Sequence, residues 1–545
     1  MKARRRSVAG ALAVLAIGGV AAVAVAHDNP ALSDAGPANT KVAGISSPDK
    51  LSPQLGESTV AQGSNPLENP SAAIGYYGYY SDGQMVPAPG AVQSPGHNVE
   101  ASKSEPDKNT YLVVGGQHGA DASYDYGTHF LYQGHELTGP TGGSYITRVN
   151  LDADAAHRVT KMAEFEADGT TPIPAIDGST WDPFAQRMLY TTEGGANGGV
   201  VQATLDYPST VNALWGVLGQ GGYEGIQSDG SGNLYIVEDI GGAAGATSTH
   251  AKQPNSFLYR FLPYDATDLT QGGKLQVLQL GSLAHAGPIV FHPNQAEADI
   301  QSQDVADEHT YGKTFETTWL TIHDTAVTGT ATAFNANTHA MAAGGTPFKR
   351  PENGQFQPGS RFKTFFFDET GDTNSLSEAG AAHGAFGSIM KLTQDPRKDA
   401  GTLQLFYLAD VAQAGFDNVT FYDRTHLIAV QDMGDTLHAQ INALDSAFLF
   451  DAVGDYTHGA RPVKILAEGR DPSATTDSAL FTLGAGFQNE GDNEITGMHL
   501  SNGDPTPSGL LGAANPKPFS HDWRLFFTHQ HGDNVTSEII PAESG

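Results

Sequence analysis

Beyond residue 105 the apolar positions of this chain come in short runs broken by Gly, Asp and Asn: YLVVGG, SYITRVNL, RMLYTT, NLYIVED, SFLYRFLP, KTFFFDE, LQLFYLAD, HLIAVQD, AFLFDAV and RLFFTH. Each run has the length of a strand, is rich in aromatic or β-branched residues and ends on turn formers, while sustained helical periodicity is scarce. The pattern predicts an all-β fold of many short strands, either a sandwich or a propeller.

Five segments repeat one design: an acidic residue, an apolar stretch, a Gly/Asp/Asn turn, a second apolar stretch, then another acidic residue or a His. They begin at Asp177 (DGSTWDPFAQRMLYTTEGG), Glu224 (EGIQSDGSGNLYIVEDIGG), Glu352 (ENGQFQPGSRFKTFFFDETGD), Asp417 (DNVTFYDRTHLIAVQDMGD) and Glu494 (EITGMHLSNGD, resuming at DWRLFFTHQHGD). In an antiparallel hairpin the start of the first strand and the end of the second share an edge, so each copy is expected to bring both polar residues to one rim. Asp and Gly also occur at hairpin ends simply as turn formers; it is the recurrence of the acidic rim that points to a ring of carboxylates for hard cations. A radial fold puts the same edge of every unit at one mouth, which favours the propeller. A further unit at 128–150 and a drifted one between Glu224 and Glu352, at 255–293 or 313–324, bring the count to six or seven. A six-bladed β-propeller over 106–545 is the expected architecture, with seven blades as the alternative.

The N-terminus reads as an export signal: Lys2, Arg4, Arg5 and Arg6, an apolar run from Val8 to Val25, and Ala24-Val25-Ala26 before His27. Cleavage is expected near Ala26, giving a signal peptide over 1–26 for Sec or Tat export and a secreted or cell-envelope protein. No other segment has the length and apolarity of a membrane span. Residues 27–105 are rich in Pro, Ser, Gly and Asn without sustained period and read as a linker or docking arm. Within it Tyr76, Tyr77, Tyr79 and Tyr80 form the element expected to dock on the main domain.

Charge and cysteine usage narrow the chemistry. The 545 residues carry 60 acidic and 29 basic side chains, a formal charge of −31, which argues against nucleic acid as a partner because phosphate backbones demand basic patches. With no cysteine, disulfides, thiolate ligands and a Cys nucleophile are excluded, so any metal sits on oxygen or imidazole.

The strings GHE (134–136) followed by YITRVNLD, STWDPFAQRMLYTTEGG, YEGIQSDGSGNLYIVED followed by FLYRF, FKRPENG, FDNVTFYDRTHLIAVQD, NEITGMHLSNGD and RLFFTHQHGD stand in the order found in PhoX-type alkaline phosphatases. From about Thr110 to the C-terminus the chain resembles that family. The resemblance implies a six-bladed propeller carrying several Ca²⁺ ions and an oxo-bridged Fe³⁺ pair on its axis, acting on small phosphate monoesters outside the cytoplasm. It casts Arg350 as a phosphate contact and Glu352 as a metal ligand. Glu224 and Glu494 match metal-binding glutamates of the family, and Glu193 falls at or beside another. Asp239, Asp417, Asn418 and Asp432 are assigned as oxygen donors by position at the rim, with His529, beside His135 and His531, as a candidate nitrogen ligand. The chain departs from the family where it reads Thr191-Thr192-Glu193-Gly194: the cysteine that ligates iron there is missing. Ca²⁺ is therefore the expected cofactor, and the iron pair is in question. A monomeric phosphomonoesterase is the first function expected. The alternatives are another calcium-dependent propeller hydrolase, lactonase or phytase-like, and a non-catalytic calcium-stabilised binding propeller at the cell surface.

Overall fold

The computed structural model describes residues 31–41, 47–86, 101–140, 142–192, 194–470, 494–530 and 532–542. Two strands, β1 (Lys50–Leu51) and β2 (Leu55–Ala61), precede a sheet of β3 (Pro106–Val113), β4 (His129–His135), β5 (Ile146–Asn150) and β6 (Val159–Ala163). A second sheet holds β7 (Ser179–Asp182), β8 (Arg187–Thr192), β9 (Gly199–Ala203) and β10 (Val211–Ala213). Then come β11 (Tyr223–Ser228), β12 (Leu234–Glu238), β13 (Leu258–Pro263), β14 (Gly273–Leu280) and β15 (Phe315–Asp324). They share a nine-stranded sheet with β16 (Gly354–Phe356), β17 (Thr364–Glu369), β18 (Ser388–Gln394) and β19 (Ala400–Leu408), in the order β11-β12-β13-β14-β15-β19-β18-β17-β16. The fourth sheet is β20 (Phe416–Phe421), β21 (His426–Gln431), β22 (Ser446–Asp451) and β23 (Val463–Ala467), and the last is β24 (Glu494–Ser501), β25 (Arg524–Gln530) and β26 (Thr536–Pro541).

The arrangement is all-β and propeller-like. Neighbouring strands are antiparallel, as expected of hairpins in sequence. The strands β3, β7, β11, β16, β20 and β24 pack each on the next, and β24 returns to β3, so these inner strands close a ring. Both end strands of the nine-stranded sheet, β11 and β16, belong to that ring. Sheets stacked face to face bury both sides of their strands, which is why β5, β7, β9, β11 and β12 are buried at every position rather than at alternate ones. Apolar clusters fill the wedges between sheets; Leu112, Phe130 and Tyr132 of the first meet Trp181, Met188 and Tyr190 of the second.

Two expectations change here. The interval between Glu224 and Glu352 holds no further inner strand: 255–293 contributes β13 and β14, the outer strands of the unit begun by β11, and 313–324 contributes β15, which bridges β14 to β19. And the described part of the N-terminal segment is woven into the sheets instead of linking to them. β1 extends the fourth sheet beside β23, while β2 pairs with β26, Leu55 opposite Pro541. Tyr77, Tyr79 and Tyr80 are fully buried, and Tyr77 and Tyr80 pack with Tyr111, Tyr145 and Phe526 between the first and last sheets. The segment lacks a period of its own because its apolar contacts are supplied by strands distant in sequence. The segment 1–26, read as an export signal, lies outside the described residues. No helix among the described residues is long and apolar enough to cross a membrane.

Candidate metal and phosphate site

Inner strands start at one mouth, and there the ladder is interrupted at matching places. Register shifts fall between Pro106 and Asn109 in β3, Tyr223 and Ile226 in β11, Phe416 and Val419 in β20, and Thr496 and His499 in β24. A bulge leaves its residues unpaired and re-aims their side chains, a recurrent device beside functional sites. In three of the four the bulge holds an acidic residue followed by a second residue: Asp107-Lys108, Glu224-Gly225 and Asp417-Asn418. Glu352-Asn353 stands just before β16, where the Gly225 N–H donates to the Glu352 carbonyl. In β24 the equivalent place is taken by Gly497-Met498, so Glu494 lies three residues before it and is not the counterpart of Glu224.

The ends of the second strands supply the other rim positions. Asp239 and Asp432 follow Glu238 and Gln431, the partners of the residues before the bulges in β11 and β20; His529 follows Thr528, the partner of Thr496. Asp239 grips Arg350: Nε of Arg350 donates to both carboxylate oxygens at 3.0 and 2.9 Å, and Nη2 donates to Oδ2 at 2.6 Å. Arg350 Nη2 also lies 3.5 Å from Glu352 Oε1, which accepts from Thr370 Oγ1 at 2.6 Å. The backbone of Arg350 has φ +60°, a left-handed conformation that costs a non-glycine residue on the order of 1–3 kcal/mol and persists only where its surroundings fix it. Here the Thr370 N–H donates to the Arg350 carbonyl at 2.8 Å. The remaining donors, on Nη1, have no hydrogen-bond partner among the described residues.

Burial and mutual repulsion dominate the electrostatics. Burial, reinforced by Asp239, holds the Glu352 carboxyl well above its usual range against the opposing pull of Arg350. Burial likewise raises Asp417 well above normal, with Glu352, Asp177, Asp107 and Asp432 adding to it. The rim carboxylates thus lie within each other's fields. A second cation, Lys108, stands among them, with Nζ donating to Asn353 Oδ1 at 3.1 Å. Burial pushes its ammonium down to about 8 against the attraction of Asp417, Asp107, Asp177 and Asp368.

The fit to ions differs between calcium and iron. Asn418 Oδ1 is buried with no hydrogen-bond partner, an acceptor that suits a hard cation, and the neighbouring donors are carboxylates. Among the described residues, however, no three His, Asp or Glu side chains converge as a ready metal cluster. Thiolate-bound iron does not fit a chain without cysteine. Nor is His529 free to ligate: Nδ1 lies 2.9 Å from Glu468 Oε1 and Nε2 2.9 Å from Asp49 Oδ2. Burial favours its neutral form, but the two carboxylates outweigh that and hold its pKa well above normal. Glu193 lies outside the described residues.

Asp107, Lys108 and Asn353 were not foreseen. The string PDKNTYLVV carries the acid-then-apolar signature, but a long loop separates β3 from β4 and hides the hairpin. At the far ends of the inner strands a small cavity of about 60 Å³ is lined by Trp181, Gln227, Gln355 and His499, without a cation or carboxylate cluster that would suit the same chemistry.

A family model described as alkaline phosphatase PhoX matches residues 224–506, just over half of the chain. Among solved structures, Pseudomonas fluorescens PhoX in complex with vanadate, a transition state analogue, aligns over 94% of this chain and 98% of that chain with TM-score 0.55 and 11% identity. At that identity the likeness bears on the fold alone. TolB from Acinetobacter baumannii aligns over 74% of this chain and 60% of that chain, with TM-score 0.29 and 8% identity. No curated protein matches the sequence.

Proposed function

The chain belongs to the alkaline phosphatase PhoX family, and from that premise we propose that it hydrolyses small phosphate monoesters at the acid-rimmed mouth of a six-bladed propeller. The blade count rests on the closed ring of six inner strands, with the nine-stranded sheet read as two blades joined by β15. The observation that carries the function is Arg350: strained in backbone, clamped by Asp239, and left with the Nη1 donors unspent beside a carboxylate rim. A guanidinium held this way presents fixed donors to phosphoryl oxygens and stabilises the charge that spreads over them during transfer. Asp239 orients it, and Thr370 holds Glu352.

Unneutralised, the rim would repel a phosphate ester. Glu224, Glu352, Asp417 and Asn418 supply oxygen donors for cations, with Ca²⁺ first among them; the half-buried Asp432 and Glu494 remain candidates, as does Glu193 by its place in the sequence. Bound there, cations would offset the carboxylates, polarise the phosphoryl group and activate water. Iron forms no part of the proposal. Export by the leader over 1–26 and action as a monomer complete the reading.

Hydrolysis of nitrophenyl phosphate is expected with added calcium, loss of it on chelation, and recovery when calcium is restored, with no iron on metal analysis of the purified protein. Hydrolysis that survives chelation would overturn the mechanism. A second reading, a calcium-stabilised binding propeller without catalysis, draws support from the lack of three converging ligands among the described residues. It predicts a calcium-dependent rise in Tm with no turnover of phosphate esters, lactones or phytate.

A further inference from the structure

The loop between β12 and β13 and the loop between β17 and β18 follow strand ends on the same side as Asp239, so both lie at the acid mouth. Together with Thr436 they enclose a cleft of about 340 Å³ lined by Thr249, His250, Lys252, Asp372 and Asn374. Lys252 is fixed by its backbone: its N–H donates to Asp372 Oδ1 at 3.0 Å, and the same oxygen takes Lys349 Nζ at 2.7 Å. Its side chain is only partly buried, and its ammonium has no hydrogen bond and no carboxylate within 4 Å among the described residues. His250, the other basic group of the cleft, is taken up by Glu378 at 2.9 Å.

The charges that act on Lys252 are those of the rim itself: Arg350 repels it, while Asp239, Asp372 and Glu352 attract it. Two cations are therefore held near each other, one at the phosphoryl position proposed above and one on the wall of the adjoining cleft. A half-buried lysine left unpaired beside an arginine is favourable once an anion lies between or beside them.

We propose that Lys252 is a specificity residue that binds a second anionic group on the leaving-group side of the substrate, so that the preferred esters carry a carboxylate or a second phosphate close to the scissile phosphate. The inference rests on the phosphatase reading, and concerns which esters the same mouth selects. The hydroxyls of Thr249 and Thr436 and the amide of Asn374 extend the cleft as neutral polar contacts for the body of such a leaving group.

The test compares full-length wild type with Lys252→Met and Lys252→Arg on nitrophenyl phosphate and on a phosphoglycerate, a phosphomonoester bearing a carboxylate. For Lys252→Met, KM for phosphoglycerate is expected to rise roughly tenfold, the loss of one partly solvated charged hydrogen bond. KM for nitrophenyl phosphate should rise about twofold, kcat should fall less than KM rises, and Lys252→Arg should recover most of the difference. Equal changes on the two esters, or none, would overturn the proposal. If the wild type hydrolyses neither ester, the phosphatase reading fails by itself and calorimetry with calcium present decides on Lys252. Phosphoglycerate binding weakened more than inorganic phosphate binding in Lys252→Met supports it, and equal weakening or none refutes it.

Discussion

Arg350 concentrates the local arguments. Its side chain is committed to Asp239 through three contacts, and its φ of +60° is an investment that a surface ion pair does not require. Lysine can keep the charge but neither the bidentate grip nor the spare donors. Arg350→Lys should therefore leave the fold intact by circular dichroism and lower kcat/KM on nitrophenyl phosphate by about 10²-fold, the scale for losing a preorganised donor at developing charge. A loss below about threefold would assign Arg350 to structure alone. The FKRPENG string made Arg350 and Glu352 visible in the sequence, and the structure brings them together. Lys252 was invisible there, because a residue in a long irregular loop has no periodicity and its neighbour Arg350 is almost a hundred positions away. The partners of His529 were hidden from the sequence for a related reason. Its rim position was legible, but Asp49 and Glu468, which occupy the ring, come from β-strand neighbourhoods that no local pattern links.

At the scale of elements, hairpins and their polar rims were largely legible, whereas bulges were not. Aligning the repeats on their first acid placed Glu494 with Glu224 and Asp417; aligning them on the bulge puts Gly497 there. The missing acid is not accidental in its surroundings, since a Cβ at Gly497 would come within 2.3 Å of the Lys108 Cα. Glycine, at φ +64°, lets β24 approach the strand that carries the internal lysine. The Tyr-rich segment shows a second limit of local patterns. Tyr77 donates to Gln133 Oε1 at 2.5 Å and shares a 2.6 Å hydrogen bond with Thr536, joining three separate stretches of chain inside the wedge of the first and last sheets. Tyr77→Phe keeps the ring and strands both partners, so a loss of about 1–3 kcal/mol is expected in urea unfolding at unchanged m-value. A change within experimental error would mean that the hydroxyl network is dispensable.

Over the whole molecule, buried histidines tie stability to pH. Burial holds His135 neutral, its pKa well below normal, between Ser104 and Thr147. His499 is pushed down to about 3 by burial, with the charge of Lys108 adding to the effect. In the unfolded chain both would take up a proton near pH 6.5. The unfolded state then binds more protons than the native one, so stability is retained above that pH and drains away as pH falls towards the native values. His499→Gln should flatten this acid slope, making the loss between pH 7 and pH 5 smaller by about 2 kcal/mol than in the wild type. Parallel slopes in the two proteins would show that His499 does not carry the dependence. Overall class and ring order could be anticipated from the repeats; how the ring is fastened could not, because β2 meets β26 across nearly the whole sequence.

That fastening sets the order in which the molecule can be completed. Every strand pairing between β3 and β19 joins stretches far nearer in sequence than β2 is to β26, so the loops it closes cost less entropy. The final sheet is different: among the described strands β24, β25 and β26 come last in the chain, yet the strand at their edge comes second. Until residue 541 is available, β2 has no partner and the wedge that takes Tyr77 and Tyr80 has only one wall. A chain carried outward as an unfolded thread delivers β2 first and must hold it unpaired throughout its passage, whereas a chain carried folded has its clasp already shut.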